Sequence, residues 1–433
     1  MRFIKKILVS ILTLESKAIL KKYRPFVIAV TGSVGKTSTK DAIYAMLRNS
    51  GGFVRKSEKS LNSDIGLPLT IIGVPNAWYS ISLWVQNIIQ GLSLILINQE
   101  YPNLLILEVG ADHPGDIKKI TKWLHPDIAV ITKISDMPVH VEFFKSPEQV
   151  FEEKMALGEA LKDGGTLLLF ADDNKVASIG NIIKKNSKKK FEVLTFGTAE
   201  NANIRGFDYE VKGMNEGFTF KMNFSGRIET VKIDRVLGKQ QMYPLLAAIA
   251  VGKVRGLSVD DMMRGLYEYE SPRGRMNVLD GVNGSQIIDD TYNSSPDAVV
   301  SALETLKESK CRGRRIAILG DMMELGKYST EEHRKVGKVV SKISDILITV
   351  GPRARMIGEE ALANGMEKER IISFDCSIDA IPYVKSLIQT GDVVLIKGSQ
   401  SPRLERITKA LLKNPEKADK LLVRQEKEWL EKK

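Results

Sequence analysis

The chain has 433 residues, a formal net charge of +11, 43% hydrophobic and 27% charged residues. This is the composition of a folded protein and excludes a collagen-like, disordered or disulfide-stapled chain, while the length suits two large α/β domains or about three smaller ones. Cys311 and Cys376 stand far apart without CxxC or Cys/His spacing, which excludes a structural zinc site and points to a reducing cytoplasm.

Residues 1–24 hold Arg2, Lys5, Lys6, Lys17, Lys21, Lys22 and Arg24 against Glu15 alone, more than half of the positive excess. Phe3, Ile4, Ile7, Leu8, Ile11, Leu12, Leu14, Ala18 and Ile19 recur at helical spacing, so a basic amphipathic helix is predicted, docked on its own domain or resting on a membrane surface. Glu15 and Lys17 break the apolar run and no small-residue cleavage site follows, against a secretory signal.

Further along, FVIAV at 26–30 reads as a buried strand. Residues 65–99 carry no charge, and 77–97 are long enough to span a bilayer. Ser80, Ser82, Gln86, Asn87, Gln90 and Ser93 gather on one side of that stretch, which predicts an amphipathic core or interfacial helix instead. LLILEV at 104–109, IAVIT at 128–132 and TLLLF at 166–170 are again apolar on both faces, as in parallel strands. Residues 203–236 alternate apolar and polar around turns at Gly213, at residues 215–217 and at Ser225-Gly226, predicting antiparallel hairpins inserted in the first domain. Buried runs resume at 285–289, 315–320, 345–351 and 393–398, a second doubly wound unit starting near Ser271-Pro272. The last twenty residues, rich in Lys and Glu, read as a solvated terminal helix. The expected organisation is an N-terminal helix at 1–24, a nucleotide-binding α/β domain at 25–270 and a Rossmann-like α/β domain at 271–433.

Between strand and helix, TGSVGKTST has the context of a phosphate-binding loop. Gly32 and Gly35 permit tight backbone turns, helix N-terminal amides face the phosphates, Lys36 can reach the β/γ oxygens and the Thr37 hydroxyl can ligate Mg²⁺. Thr31, Ser33, Val34 and Ser38 complete the expected nucleotide cradle. The strict GxxxxGK[ST] pattern is not met, since Val30 occupies the first glycine position. Glu108 ends a buried strand, where a carboxylate is costly without a cation, so the sheet edge is expected to hold a metal.

TGSVGKTST resembles the TGTNGKT-type loop of the Mur ligase family, ATP-dependent amide-forming ligases of peptidoglycan synthesis. LEVGADHPGDI at 107–117, ITKISDMPVHVEFFKSPEQVFEEK at 131–154, IIDDTYNSSPDA at 287–298, LGDMMELG at 319–326 and IKGSQ at 396–400 are similar to further family motifs in the same order. The last three look most like the branch that adds D-alanyl-D-alanine to a UDP-muramoyl tripeptide. The resemblance implies that Thr37 and Glu108 hold one Mg²⁺, that His140 holds a second, and that Lys154 is carbamylated into a metal ligand. It further implies that Arg275 and the loop with Asp290 and Asn293 reach the nucleotide across a cleft, with Lys397 and Ser399 near the acceptor or the transferred phosphoryl group. By the same resemblance a carboxylate attacks the γ-phosphoryl of ATP and an amine then displaces phosphate from the acyl phosphate.

Two departures stand out. Typical members carry about one hundred residues that hold the uridine nucleotide before the loop, whereas about thirty precede it here, so that domain is expected to be absent and the donor's carrier altered. At 237–252 Gln240, Gln241 and Pro244 replace the usual His, Asn and Asn, which removes the nucleotide contacts expected of that segment. The expected activity is a cytoplasmic, ATP- and Mg²⁺-dependent carboxylate–amine ligase acting as a monomer. Its partners are expected to be peptides and nucleotide-linked or lipid-linked sugar peptides, with weak membrane contact and no nucleic acid. The alternatives are another Mur-type or polyglutamate-type ligase, or a silent nucleotide-binding homologue at the membrane.

Overall fold

A computed structural model describes the chain except residues 1, 59–60, 79, 139, 225, 432 and 433 and the side chains of 2–4 and 224. The turn expected at Ser225 and the apolar side chains of Phe3 and Ile4 lie outside the described residues. The chain begins with α1 (Arg2–Tyr23), β1 (Phe26–Thr31) and α2 (Lys36–Leu47), the strand–loop–helix unit expected around the phosphate loop. Then come β2 (Val54–Lys56), α3 (Gly66–Ile72), α4 (Ile81–Leu96), β3 (Leu104–Glu108), α5 (Asp116–Ile120) and β4 (Ile128–Ile131). The alternation continues with α6 (Pro147–Glu159), β5 (Thr166–Phe170), α7 (Asn174–Asn186) and β6 (Glu192–Gly197). After β7 (Ile204–Gly213), β8 (Gly217–Phe224) and β9 (Arg227–Ile233), the helices α8 (Met242–Val254) and α9 (Val259–Tyr267) finish this half.

All nine strands form one sheet in the order β2-β3-β1-β4-β5-β6-β7-β8-β9. It is parallel from β2 to β7 and antiparallel among β7, β8 and β9. The hairpins at 203–236 therefore extend the edge of the main sheet. β3, β4 and β5 are buried along their whole length, which is why their sequences run apolar without alternation.

The second half contains β10 (Asn277–Asp280), β11 (Gln286–Asp290), α10 (Pro296–Glu308), β12 (Arg315–Gly320), α11 (Ser329–Val340) and β13 (Ile346–Val350). It continues through α12 (Arg355–Ala363), β14 (Ile371–Phe374), α13 (Ser377–Leu387), β15 (Val393–Lys397) and α14 (Glu405–Leu411). Its sheet runs β10-β11-β15-β12-β13-β14, parallel except for β10, with a separate apolar cluster on each face.

Two expectations need correction. The tail is no solvated helix: it folds as the short helices Ala418–Leu421 and Lys427–Leu430, and between them Leu422 and Arg424 are buried. The reason is specific pairing, since Arg424 donates to the carbonyl oxygens of Thr291 and Tyr292 and to Glu405, which offsets burial of its charge. The uncharged stretch is two helices, α3 and α4, and α4 does not bury its most apolar side. Asn87, Gly91 and Leu94 face inward, while Ile81, Val85, Ile89, Leu92 and Leu96 are exposed. The Asn87 amide is satisfied by the Pro75 carbonyl at 2.9 Å, so a polar residue sits inside without an unmet hydrogen bond.

Candidate active site

The phosphate loop leaves β1 where the sheet order turns to β3 on one side and β4 on the other, the switch point at which α/β folds bind ligands. Its path is held from β4: Thr132 Oγ1 donates to the Val34 carbonyl at 2.7 Å, and the Ser33 amide donates to the Lys133 carbonyl at 2.9 Å. Gly32 has φ +146°, and a Cβ there would lie 1.9 Å from Thr132 Oγ1, so a side chain is excluded. Gly35, at φ +87°, starts α2 without a side-chain cap, leaving the first-turn amides of α2 aimed out of the loop.

Val30 pairs with Glu108 across β1 and β3, which sets the Glu108 carboxylate beside the loop. Its Oε1 accepts from Asn62 Nδ2 at 3.1 Å, and Lys40 Nζ lies 3.9 Å from Oε2, which finds no hydrogen-bond partner among the described residues. Thr31 Oγ1 and Ser33 Oγ, on the neighbouring strand β1 and its loop, are likewise buried and unpartnered among the described residues. Such a set of oxygens, one of them anionic, is the donor chemistry a hard divalent cation takes. Among the described residues no group of three or more His, Cys, Asp or Glu is arranged for a metal, so a Mg²⁺ here would draw on hydroxyl and phosphate oxygens as well.

Lys36 is the focus of the site's charge. Desolvation lowers its pKa, with Glu108 and Asp112 pulling upward and Arg275 downward. Lys154 on α6 is buried and its pKa falls to about 7, through desolvation first and the Lys36 charge second. A neutral amine is thus accessible at ordinary pH, the form that reacts with CO₂. Its neighbour Glu153 has a different task, accepting from the amides of Gly115, Ile117 and Lys118 at the start of α5.

His140 stands where the two halves of the chain meet. Its Nδ1 lies 2.7 Å from Glu324 in the second half, and its Nε2 3.6 Å from Asp112. Asp112, absent from the expected set, joins His140 to the Lys36–Lys154 region. Its signal was present in the acid-rich GADHPGD run that follows the β3 carboxylate.

The second half contributes a facing wall. Lys397 Nζ, fully buried at the end of β15, donates to Asp290 Oδ2 at 2.6 Å and to the Asn293 carbonyl at 3.0 Å. Arg275 lies 4.2 Å over the Tyr292 ring. Asp289 is buried with its pKa raised to about 7 by desolvation, while Thr291 and Thr408 donate to its Oδ1. The ion pair from Lys133 to Asp297 at 3.2 Å and the close approach of His140 to Glu324 bring the two walls together.

Between the walls lies a cavity of about 390 Å³ with Gly35, Ser38, Arg275, Asp290 and Lys397 at its polar end and Phe170, Phe196 and Tyr243 on another side. Gln240, Gln241 and Pro244 line it too. The 237–252 segment thus lies on the cavity wall although it lacks the usual His and Asn residues, with Gln241 Oε1 unpartnered among the described residues. A second cavity of about 410 Å³ opens on the other side of the first turn of α2, lined by Thr37, Lys40, Lys56, Tyr292 and Arg424. Ser399 lies outside both, donating no bond into the cavity but accepting from the Met323 amide at 2.9 Å.

Residues 30–252 match the Mur ligase middle domain and residues 274–400 the Mur ligase glutamate ligase domain. The UDP-N-acetylmuramoyl-tripeptide--D-alanyl-D-alanine ligase of Bacillus subtilis is 30% identical over 402 residues, covering 92% of this chain and 79% of that protein. The Escherichia coli enzyme of the same name is 26% identical over 394 residues, covering 90% and 77%. Among solved structures, the MurF ligase of Thermotoga maritima in complex with ADP superposes with a TM-score of 0.75 at 26% identity, covering 95% of this chain and 84% of that one. With the phosphate loop, sheet-edge carboxylate and facing basic wall in place, the chain belongs to the Mur ligase family of ATP-dependent ligases.

Proposed function

We propose that this chain joins D-alanyl-D-alanine to the carboxylate of a muramoyl tripeptide at the expense of ATP. The observation that carries the reading is the convergence of Lys36, Glu108 and Lys154 on one wall with Arg275, Asp290 and Lys397 on the other. A carboxylate oxygen attacks the γ-phosphorus, ADP leaves, and the amine displaces inorganic phosphate as the amide forms, losing one proton. Lys36 and Arg275 neutralise the transferred phosphoryl oxygens, and the first-turn amides of α2 orient them. Phe170, Phe196 and Tyr243 offer apolar and stacking surface for a base. Mg²⁺, held through Glu108, Thr37 and the phosphates, would supply charge neutralisation. In this reading Lys154 as a carbamate would be a further metal ligand, and His140, once released from Glu324, would hold a second Mg²⁺. The polar contacts between the walls favour exclusion of water, which competes with the amine.

In this reading residues 25–270 hold the nucleotide and 271–433 close upon it. One chain supplies both walls, so a monomer suffices, and a cytoplasmic location matches the ATP requirement. Phosphate release measured with ATP, Mg²⁺, UDP-muramoyl tripeptide and D-alanyl-D-alanine tests the assignment. Release that requires all four supports it, whereas release with a different amino acid or dipeptide, or with none, rejects it.

A further inference from the structure

Helices α1 and α4 lie side by side and parallel. The Glu15 carboxylate sits over Gly91, where an added Cβ would meet Oε2 at 2.3 Å. Further along, Lys22 Nζ donates to the carbonyls of Leu94, Ile95 and Ile97 at 2.8, 3.0 and 2.8 Å, and Tyr23 Oη donates to Leu94 at 2.9 Å. These contacts fix which sides of the two helices face each other and therefore which sides face outward.

At about 100° per residue, Ile81, Val85, Ile89, Leu92 and Leu96 fall within one arc of about 80°, turned away from Gly91. All five are exposed, Ile81 and Leu96 each 80%. On α1, Ile7 and Leu14 are exposed on the corresponding side of Glu15, so the two apolar stripes share one face of the pair. Trp78, 64% exposed, and Ile97, also exposed, flank α4 at its two ends. Lys6, Lys17 and Lys21 are exposed along the outer rim of α1, and Ser82, Gln86 and Gln90 along that of α4. Glu15, the one acid on either helix, is turned into the seam between them.

A contiguous apolar face on a folded chain marks an interaction surface. Its rim decides the occupant: three lysines with no exposed acid on either helix call for an anionic surface, and a second copy would set lysines against a face with no carboxylate to meet them. Among the described residues no helix is long and apolar enough to cross a membrane. We propose that α1 and α4 form a monotopic docking face that seats its apolar stripe at the headgroup–acyl boundary of an anionic bilayer, with Lys6, Lys17 and Lys21 on the headgroups. This face stands on α1 and α4 alone and is independent of the substrates assigned above.

The test is sedimentation of the full chain with vesicles of phosphatidylcholine alone and of phosphatidylcholine mixed with phosphatidylglycerol, at low and at physiological salt. Binding is expected to the mixed vesicles, weaker at higher salt, and accompanied by a blue-shifted Trp78 fluorescence that Trp78→Phe removes. Each of Lys6→Gln, Lys17→Gln and Lys21→Gln should lower partitioning about fivefold. The double variant Ile89→Glu/Leu92→Glu, at exposed positions, should abolish it while thermal melting and ATP turnover stay unchanged. No binding at low salt, or binding that survives the double variant, overturns the proposal. So does a concentration-dependent dimer in lipid-free buffer that the double variant dissociates, since the face would then belong to a second copy.

Discussion

The ammonium of Lys36 donates to the carbonyl of Gly32 at 2.9 Å, so the lysine folds back over the loop in which it sits. The bond keeps the charge on the loop that leads into α2, whose first amides receive phosphate oxygens. Lys36→Ala keeps the loop, whose path depends on Thr132 and Lys133, but removes this charge. A loss of about 10²–10³-fold in ATP turnover is expected, with melting temperature little changed. Steady-state phosphate release checks it.

Lys154 owes its depressed pKa, about 7, to burial and to the nearby Lys36 charge. Lys154→Ala should be inactive and regain part of its activity with added short carboxylates, which fit the vacated volume and restore the negative group. Activity of the untreated wild-type chain should also fall as pH drops below about 7, because the amine then holds its proton. A pH–rate profile with and without bicarbonate, beside the rescue assay, measures both effects.

Glu15 is buried against Gly91, neither carboxylate oxygen has a hydrogen-bond partner among the described residues, and its pKa is raised to about 7 by desolvation. Between its ordinary value of 4.5 and about 7 the unfolded chain has released a proton that the folded chain retains, so stability falls as pH rises through that window. Glu15→Gln removes the titration. At pH 8 the variant should melt higher by about 2–4 °C, and near pH 4 the two chains should melt alike.

Arg424 ties the C-terminal tail to the loop after β11, donating to Thr291 at 3.0 Å and Tyr292 at 2.5 Å and pairing with Glu405 at 3.1 Å. Arg424→Ala leaves Glu405 buried with less compensation and should cost about 3–5 kcal/mol in the second half. Where the variant is folded, the KM for ATP should rise more than kcat falls, because Tyr292 lies under Arg275. Denaturant melts and ATP titrations separate the two effects.

Motif spacing and apolar runs determined much of this protein. A strand–loop–helix with Gly32, Gly35 and Lys36 has essentially one stable use, and strands such as LLILE, apolar on both faces, have to lie inside a parallel sheet. Both half-sheets and the resemblance to the Mur ligases were legible in that way. Tertiary structure decided what depended on partners distant in sequence. His140 is carried to Glu324, 184 positions away, by the closure of the two walls. The Lys- and Glu-rich tail reads as solvated by composition, yet Arg424 is buried because the loop after β11 offers it two carbonyls. The outward apolar side of α4 is the clearest case: periodicity gives the angle between Ile89 and Asn87, but which of them faces the core depends on α1. That helix presents Glu15 and so demands a glycine opposite, and Gly91 turns the helix accordingly.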